Sequence, residues 1–290
     1  EKIIGEIVAD KPELVILTDF GSGYLDLLNQ KIPNFKVLIL DHHQITGTTT
    51  NSNFIQVNPH LHGMDGATDV SGSGVAYFVA RAVDARNVDL SPIALVGALG
   101  DMQDRYDQRK LAGLNAKIVE DGVNSKQILV EKDLTFFGRE TRPIHKTLAS
   151  TTNPFIPGIS GEEDKSLAFI SSLDIKLKDG DKLRALRDLS EEEKKRLCSA
   201  LADYLLSKGL HYEVTNLIGH IYILSNEEPR TPLRDAREFA VVLNSTGRMD
   251  RPSLEPLSPS HRIPCRGTWH VIPKRSTVHA ETPKRPVCHV

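Results

Sequence analysis

Acidic and imidazole side chains close three apolar segments of this sequence, and their placement is what could carry chemistry. Asp19 follows Leu14-Val15-Ile16-Leu17-Thr18, Asp41-His42-His43 follows Val37-Leu38-Ile39-Leu40, and Asp101 follows Ala98-Leu99-Gly100. Taken singly, each has an ordinary explanation: an Asp after a strand commonly forms a turn or caps a helix, and paired histidines commonly pack or face solvent. Taken together and in this order, they deliver carboxylate and imidazole groups to one rim, the donor set that a hard divalent cation such as Mn2+ or Mg2+ requires. Such a cation lowers the pKa of a water and steadies charge on a phosphoryl oxygen, so the implied chemistry is phosphoester hydrolysis.

The elements that must position these groups are legible in the same stretch. Residues 14–17 and 37–40 are apolar throughout, as strands covered on both faces are, and an open α/β sheet binds its ligands beyond the carboxyl ends of such strands. Gly23 to Asn29 reads as a short crossover helix, and Phe54 to Val57 as a third strand closed by Asn58-Pro59. Gly72-Ser73-Gly74 opens a helix reaching Val83, and Ala94 to Gly100 reads as a helix whose end presents Asp101. From about Leu111 the chain turns to charged helices, among them one running from Ser190, its N-cap, to Lys208, with Gly209 as its stop.

The expected fold is therefore α/β: a mainly parallel sheet over 1–114, a helical cap or insertion over 115–232, and the start of a further domain over 233–254. Residues 255–290 are expected to form a disordered tail. They hold six of the sixteen prolines, four of the eleven histidines and the single tryptophan, without apolar periodicity.

Composition narrows the function classes. The 290 residues are 39% hydrophobic and 26% charged, and the longest apolar runs are far too short to span a bilayer. No secretory leader is evident at Glu1 to Gly5, and three scattered cysteines suit neither a disulfide framework nor a zinc knuckle, so a cytoplasmic setting is expected. Residues 255–290 carry six Lys/Arg against two acids, which leaves 30 basic and 36 acidic residues in 1–254. An acidic body needs a local basic groove or bound metal if it is to hold nucleic acid.

The runs LTDFGSG, VLILDHHQ and ALVGALGDMQDR resemble motifs of the DHH phosphoesterases, and in particular of archaeal RecJ-like single-strand exonucleases. FIQVNPHLHG, SGSGVAYFVARAV, RETRPIHKTLASTTNPFIPGISG and LNSTGRMDRPSL are similar to the same group, so the resemblance covers about residues 1–254. It implies that Asp19, His42 and Asp101 ligate Mn2+ or Mg2+, Asp19 bridging two ions. It also implies that Asp41 supports the histidine pair and that His43 lies beside the scissile phosphate. His60, Arg105 and Arg248 are the candidate substrate-binding residues, whereas Arg139, Arg142 and His145 are expected on a solvated face of the cap.

Two features of the family pattern are not found: an initial Asp-x-Asp motif and a C-terminal Gly-Gly-Gly-His segment. The expectation is a truncated phosphoesterase with impaired catalysis. Its partners would be single-stranded nucleic acid and, in a rival reading, replication proteins bound by a non-cutting scaffold. A second rival is a phosphoesterase for oligoribonucleotides, cyclic dinucleotides or pyrophosphate.

Overall fold

The computed structural model describes residues 2–105 and 107–248; the expected tail and residues 249–254 lie outside the described residues. Helix α1 (Lys2–Asp10) leads into β1 (Val15–Thr18), α2 (Leu25–Lys31), β2 (Val37–Leu40) and β3 (Phe54–Val57). The strands pair in parallel in the order β1-β2-β3, with Thr18 beside Leu40 and Leu40 beside Val57. That register brings residues 19, 41 and 58 out along one edge. Alternation fixes the two faces: Val15, Leu17, Val37, Ile39 and Phe54 pack with Ile7, Leu25, Leu28 and Ile32, while Leu38, Leu40 and Val57 pack against the next helix, α3 (Gly72–Val83).

Helix α4 (Ser91–Gly100) is apolar on nearly all sides because it is buried along most of its surface, Ile93 excepted. It lies among α3, α5 (Gly113–Asn124) and the last of the described helices, and its final residue leads directly to Asp101. The sequence-based helix over 94–100 is thus found, and so is the one opened by Gly72.

The second half departs from the expected helical cap. β4 (Ile128–Leu134) continues into α6 (Ile144–Ser150), α7 (Glu163–Ser171), the small hairpin β5 (Lys178–Asp179) and β6 (Lys182–Leu183), then α8 (Glu191–Ser207), α9 (His211–Thr215), β7 (Ile218–Leu224) and α10 (Ala236–Arg248). β4 and β7 pair antiparallel over their full length, Ile128 opposite Leu224 and Leu134 opposite Ile218. One end of this ribbon lies in the core built by α3, α4, α5 and α10, where Ile128, Tyr222 and Leu224 are buried. The other end enters a separate core with Leu134 and Leu217.

The boundaries at 115 and 232 therefore move inward. Packing assigns α5 and the Ile128–Leu224 end of the ribbon to the first core, and leaves roughly 135–217 as the inserted unit. α10 is likewise not the start of a separate domain, since Phe239 and Ala240 pack in the first core. Within the insertion, α8 buries Leu197, Leu201 and Leu205 at four-residue spacing, and the Ser190–Glu193 capping box starts it as the sequence indicates. Among the described residues, no helix is long and apolar enough to cross a membrane.

Candidate metal centre

The carboxylate and imidazole groups picked out by sequence do converge. His42 is buried, and its Nε2 stands 3.1 Å from Asp19 Oδ1 and 3.5 Å from Asp101 Oδ2. Its Nδ1 donates to the Gly66 carbonyl at 2.7 Å. Because a carbonyl can only accept, the neutral ring must carry its proton on Nδ1 and turn the lone pair of Nε2 toward the two carboxylates. That Nε2 is buried and makes no well-aligned hydrogen bond. Burial pulls the His42 pKa down, but the Asp19 carboxylate, the Gly66 carbonyl and the charge on Asp101 outweigh it and raise the value to about 9. A positive charge is what this corner favours, whether proton or metal.

His43 repeats the device. Its Nδ1 donates to Asp41 Oδ1 at 2.7 Å, so Nε2 is again the free ring atom. Ligand atoms of Asp19, His42 and His43 lie within 4.8 Å of one another. Asp41, by contrast, is turned inward. It is buried, and its oxygens accept from the backbone N–H groups of Ser22 (2.9 Å), His42 (2.9 Å) and His43 (3.2 Å) as well as from the His43 ring. Burial raises its pKa, but these donors outweigh burial and leave it below the usual carboxylate value. Its part is to orient His43.

Backbone shape brings these carboxylates to the rim. Asp19 sits at φ 62 and Met102, next to Asp101, at φ 56, left-handed conformations that turn the chain sharply at each carboxylate. Asp19 also lies against Gly72 at the start of α3, where an added Cβ would meet its Oδ1 at 2.5 Å. Gly66 is tighter still, since a Cβ there would stand 1.8 Å from the His42 carbonyl oxygen. Gln103, also buried, donates to the Gly66 carbonyl at 2.9 Å and to Asp101 Oδ2 at 3.1 Å, and accepts from Asn115 at 2.6 Å.

Asp104 is buried and pairs with Arg237 of α10, clamping the Asp101 turn to the C-terminal helix. Gly66, Gln103, Asn115 and Arg237 were missed by sequence reading. Only the glycine had a local signal, a small residue in the polar loop Met64 to Val70.

The candidate substrate-binding residues are less closely gathered. His60 is near the centre: its Nε2 lies 3.1 Å from where a side-chain carbon of residue 66 would stand, and its N–H is held by Asn58. Arg105 is exposed and its guanidinium contacts the Met102 sulfur, so it is not drawn to the carboxylates. Arg248 is exposed one helical turn beyond Asn244, whose amide donates to the Gly100 carbonyl beside Asp101. In the insertion, the expected solvated face is corrected for Arg139, which is buried against Asp133. His145 is largely buried near Glu163, and Arg142 lies over the Phe137 ring.

With this geometry in place, the comparisons with known proteins fall into line. Residues 136–218, almost the inserted unit defined by packing, match the DHH-CID domain model. The uncharacterized protein MJ0831 of Methanocaldococcus jannaschii is 33% identical over 250 residues, covering 86% of this chain and 51% of that protein. The crystal structure of CDC45 from Entamoeba histolytica is similar with a TM-score of 0.62 at 17% identity, over 85% of this chain and 52% of that one. The chain thus spans about half the length of the relatives it matches. Residues 136–218 thus carry a DHH-CID domain match, and the chain shares the fold of that CDC45 structure, with Asp-His-His directly after β2.

Proposed function

We propose that this chain binds Mn2+ or Mg2+ at Asp19, His42 and Asp101 and serves the hydrolysis of phosphodiester bonds in single-stranded nucleic acid, in a cytoplasmic setting. The observation that carries the reading is His42: a buried imidazole, held at Nδ1 by the Gly66 carbonyl, turns its Nε2 toward two carboxylates. The donor set is mixed oxygen and nitrogen without thiolate, which suits those cations. A bound cation would supply Lewis acidity and neutralise phosphoryl charge.

The chain's own residues then have distinct tasks. His43, steadied by Asp41, is half exposed and stands ready to hold or deliver a proton at Nε2 beside a bound phosphate. His60 would meet a phosphate oxygen near the Gly66 loop. Arg248 would meet the strand farther out along α10. The test is incubation of the chain with end-labelled single-stranded DNA and RNA in Mn2+ buffer, beside Asp19→Ala and His42→Ala. Mn2+-dependent shortening of the wild-type substrate, lost in both variants, is expected. Intact substrate throughout would end the nuclease reading.

A second reading has its own support. The described residues gather donors sufficient for one cation, whereas the two-ion chemistry implied by the family resemblance needs more. A chain that binds metal without cutting would then be a scaffold, holding replication proteins through the DHH-CID unit.

A further inference from the structure

The DHH-CID unit carries a basic cleft with no part in the metal centre. It encloses about 450 Å³ beside the β5–β6 hairpin and is lined by Lys176, Lys178 and Lys182 together with Arg230 and Asp188. The three lysines are exposed, and none forms an ion pair among the described residues. The neighbouring arginines Arg184, Arg187 and Arg230 all do, with Glu193, Glu140 and Asp188.

Arg230 is the informative member. Its backbone sits at φ 65, a left-handed conformation that glycine adopts freely and arginine does not. Two carboxylates hold it there: its N–H donates to Glu140 at 3.1 Å, and its guanidinium makes a bidentate pair with Asp188 at 2.7 and 3.0 Å. A glycine would relieve the turn, so the arginine side chain is what the strain retains. The pair with Asp188 uses one edge of the guanidinium, and the remaining N–H groups belong to a side chain that is 57% exposed.

We propose that this cleft binds the phosphodiester backbone of a single-stranded nucleic acid. Three unpaired ammonium groups beside a fixed guanidinium form a phosphate-contacting set, and such contacts position a strand without reading its sequence. Leu183 is the single apolar lining residue, so the cleft offers little to anchor the side chains of an acidic peptide. Asp179 also lines it and opposes an anion, but the lysines outnumber it. The phosphate chemistry stands apart from the metal centre, while the choice of a single strand rests on the function proposed above.

Fluorescence anisotropy of labelled oligothymidylate, titrated with the full chain in EDTA over a range of salt, tests the assignment. Lys176→Gln/Lys178→Gln/Lys182→Gln should weaken binding roughly tenfold and reduce the slope of log K against log salt by about 2, at about 0.7 per lost contact on a single strand. The charge-matched control Lys126→Gln/Lys165→Gln/Lys195→Gln should leave the slope unchanged. Arg230→Gly, which loses the Asp188 pair and relaxes the turn, should stay folded and lose affinity. No wild-type binding, equal slopes in the two triple variants, or displacement of the oligonucleotide by polyglutamate at matched charge would overturn the proposal; the last would assign the cleft to an acidic protein. Binding in EDTA without Mn2+-dependent cleavage would sink the nuclease reading and leave the cleft standing.

Discussion

The inserted unit and the rim of the parallel sheet both gather carboxylates, buried or half-buried in the first and about half exposed in the second, and they treat them in opposite ways. In the insertion and the adjoining ribbon four are met by cations: Asp133 by Arg139 and Lys194, Glu140 by Arg187, Glu193 by Arg184, Asp188 by Arg230. At the rim, His42 is the group able to carry a positive charge beside both Asp19 and Asp101, and no lysine or arginine pairs with either among the described residues. Ion pairs that are complete in themselves hold a structure together, whereas a carboxylate pair left to one imidazole is arranged for a charge that comes from outside.

Breaking a completed pair should have the largest effect on stability. Arg139→Met leaves the buried Asp133 with Lys194 alone and should cost about 3 kcal/mol, read as a lower urea midpoint. An unchanged midpoint would mean that the insertion does not depend on its paired charges. Gly66→Ala, which must push the His42 backbone aside, should cost roughly 2 kcal/mol and weaken Mn2+ binding far more than that loss of stability explains. If metal affinity survives intact, the loop does not set His42.

The junction of the two regions should show a pH dependence. Glu238 of α10 is buried and accepts from the Glu140 N–H at 2.8 Å and the Thr141 hydroxyl at 2.6 Å. Burial raises its pKa, the two donors lower it, and the charges of Asp235 and Glu140 raise it again, to about 7. Because the folded value lies above the unfolded 4.5, its contribution is fully present below pH 4.5 and is lost as pH rises through about 7. Glu238→Gln should therefore gain about 2 kcal/mol over the wild type at pH 8 and nothing at pH 4. Parallel pH profiles for the two proteins would contradict it. The smallest effect is expected from Asp101→Asn without metal, below about 1 kcal/mol, since that carboxylate is half exposed.

Much of the rim was legible in sequence, because strand ends and helix ends are local features. Continuous apolar runs gave β1 and β2, and the residues that follow them had to emerge together once the strands paired in parallel. β4 and β7 were not read as strands. Glu131 and Lys132 interrupt the apolar pattern of β4, since a two-stranded ribbon leaves part of its surface to solvent. The supports of the site were hidden for a different reason. Gln103 reaches Gly66 across 37 residues and Arg237 reaches Asp104 across 133, distances at which periodicity carries no information. Arg139 shows the converse, a charged residue that reads as surface until the ribbon and α8 close over it.

The direct test of the central claim is titration calorimetry of Mn2+ into this chain, with Asp19→Ala and His42→Ala as controls. The arrangement of His42 between two carboxylates predicts Mn2+ binding by the wild type and its loss in both folded variants. Wild type that takes up no Mn2+, or variants that bind it as tightly, would contradict the account.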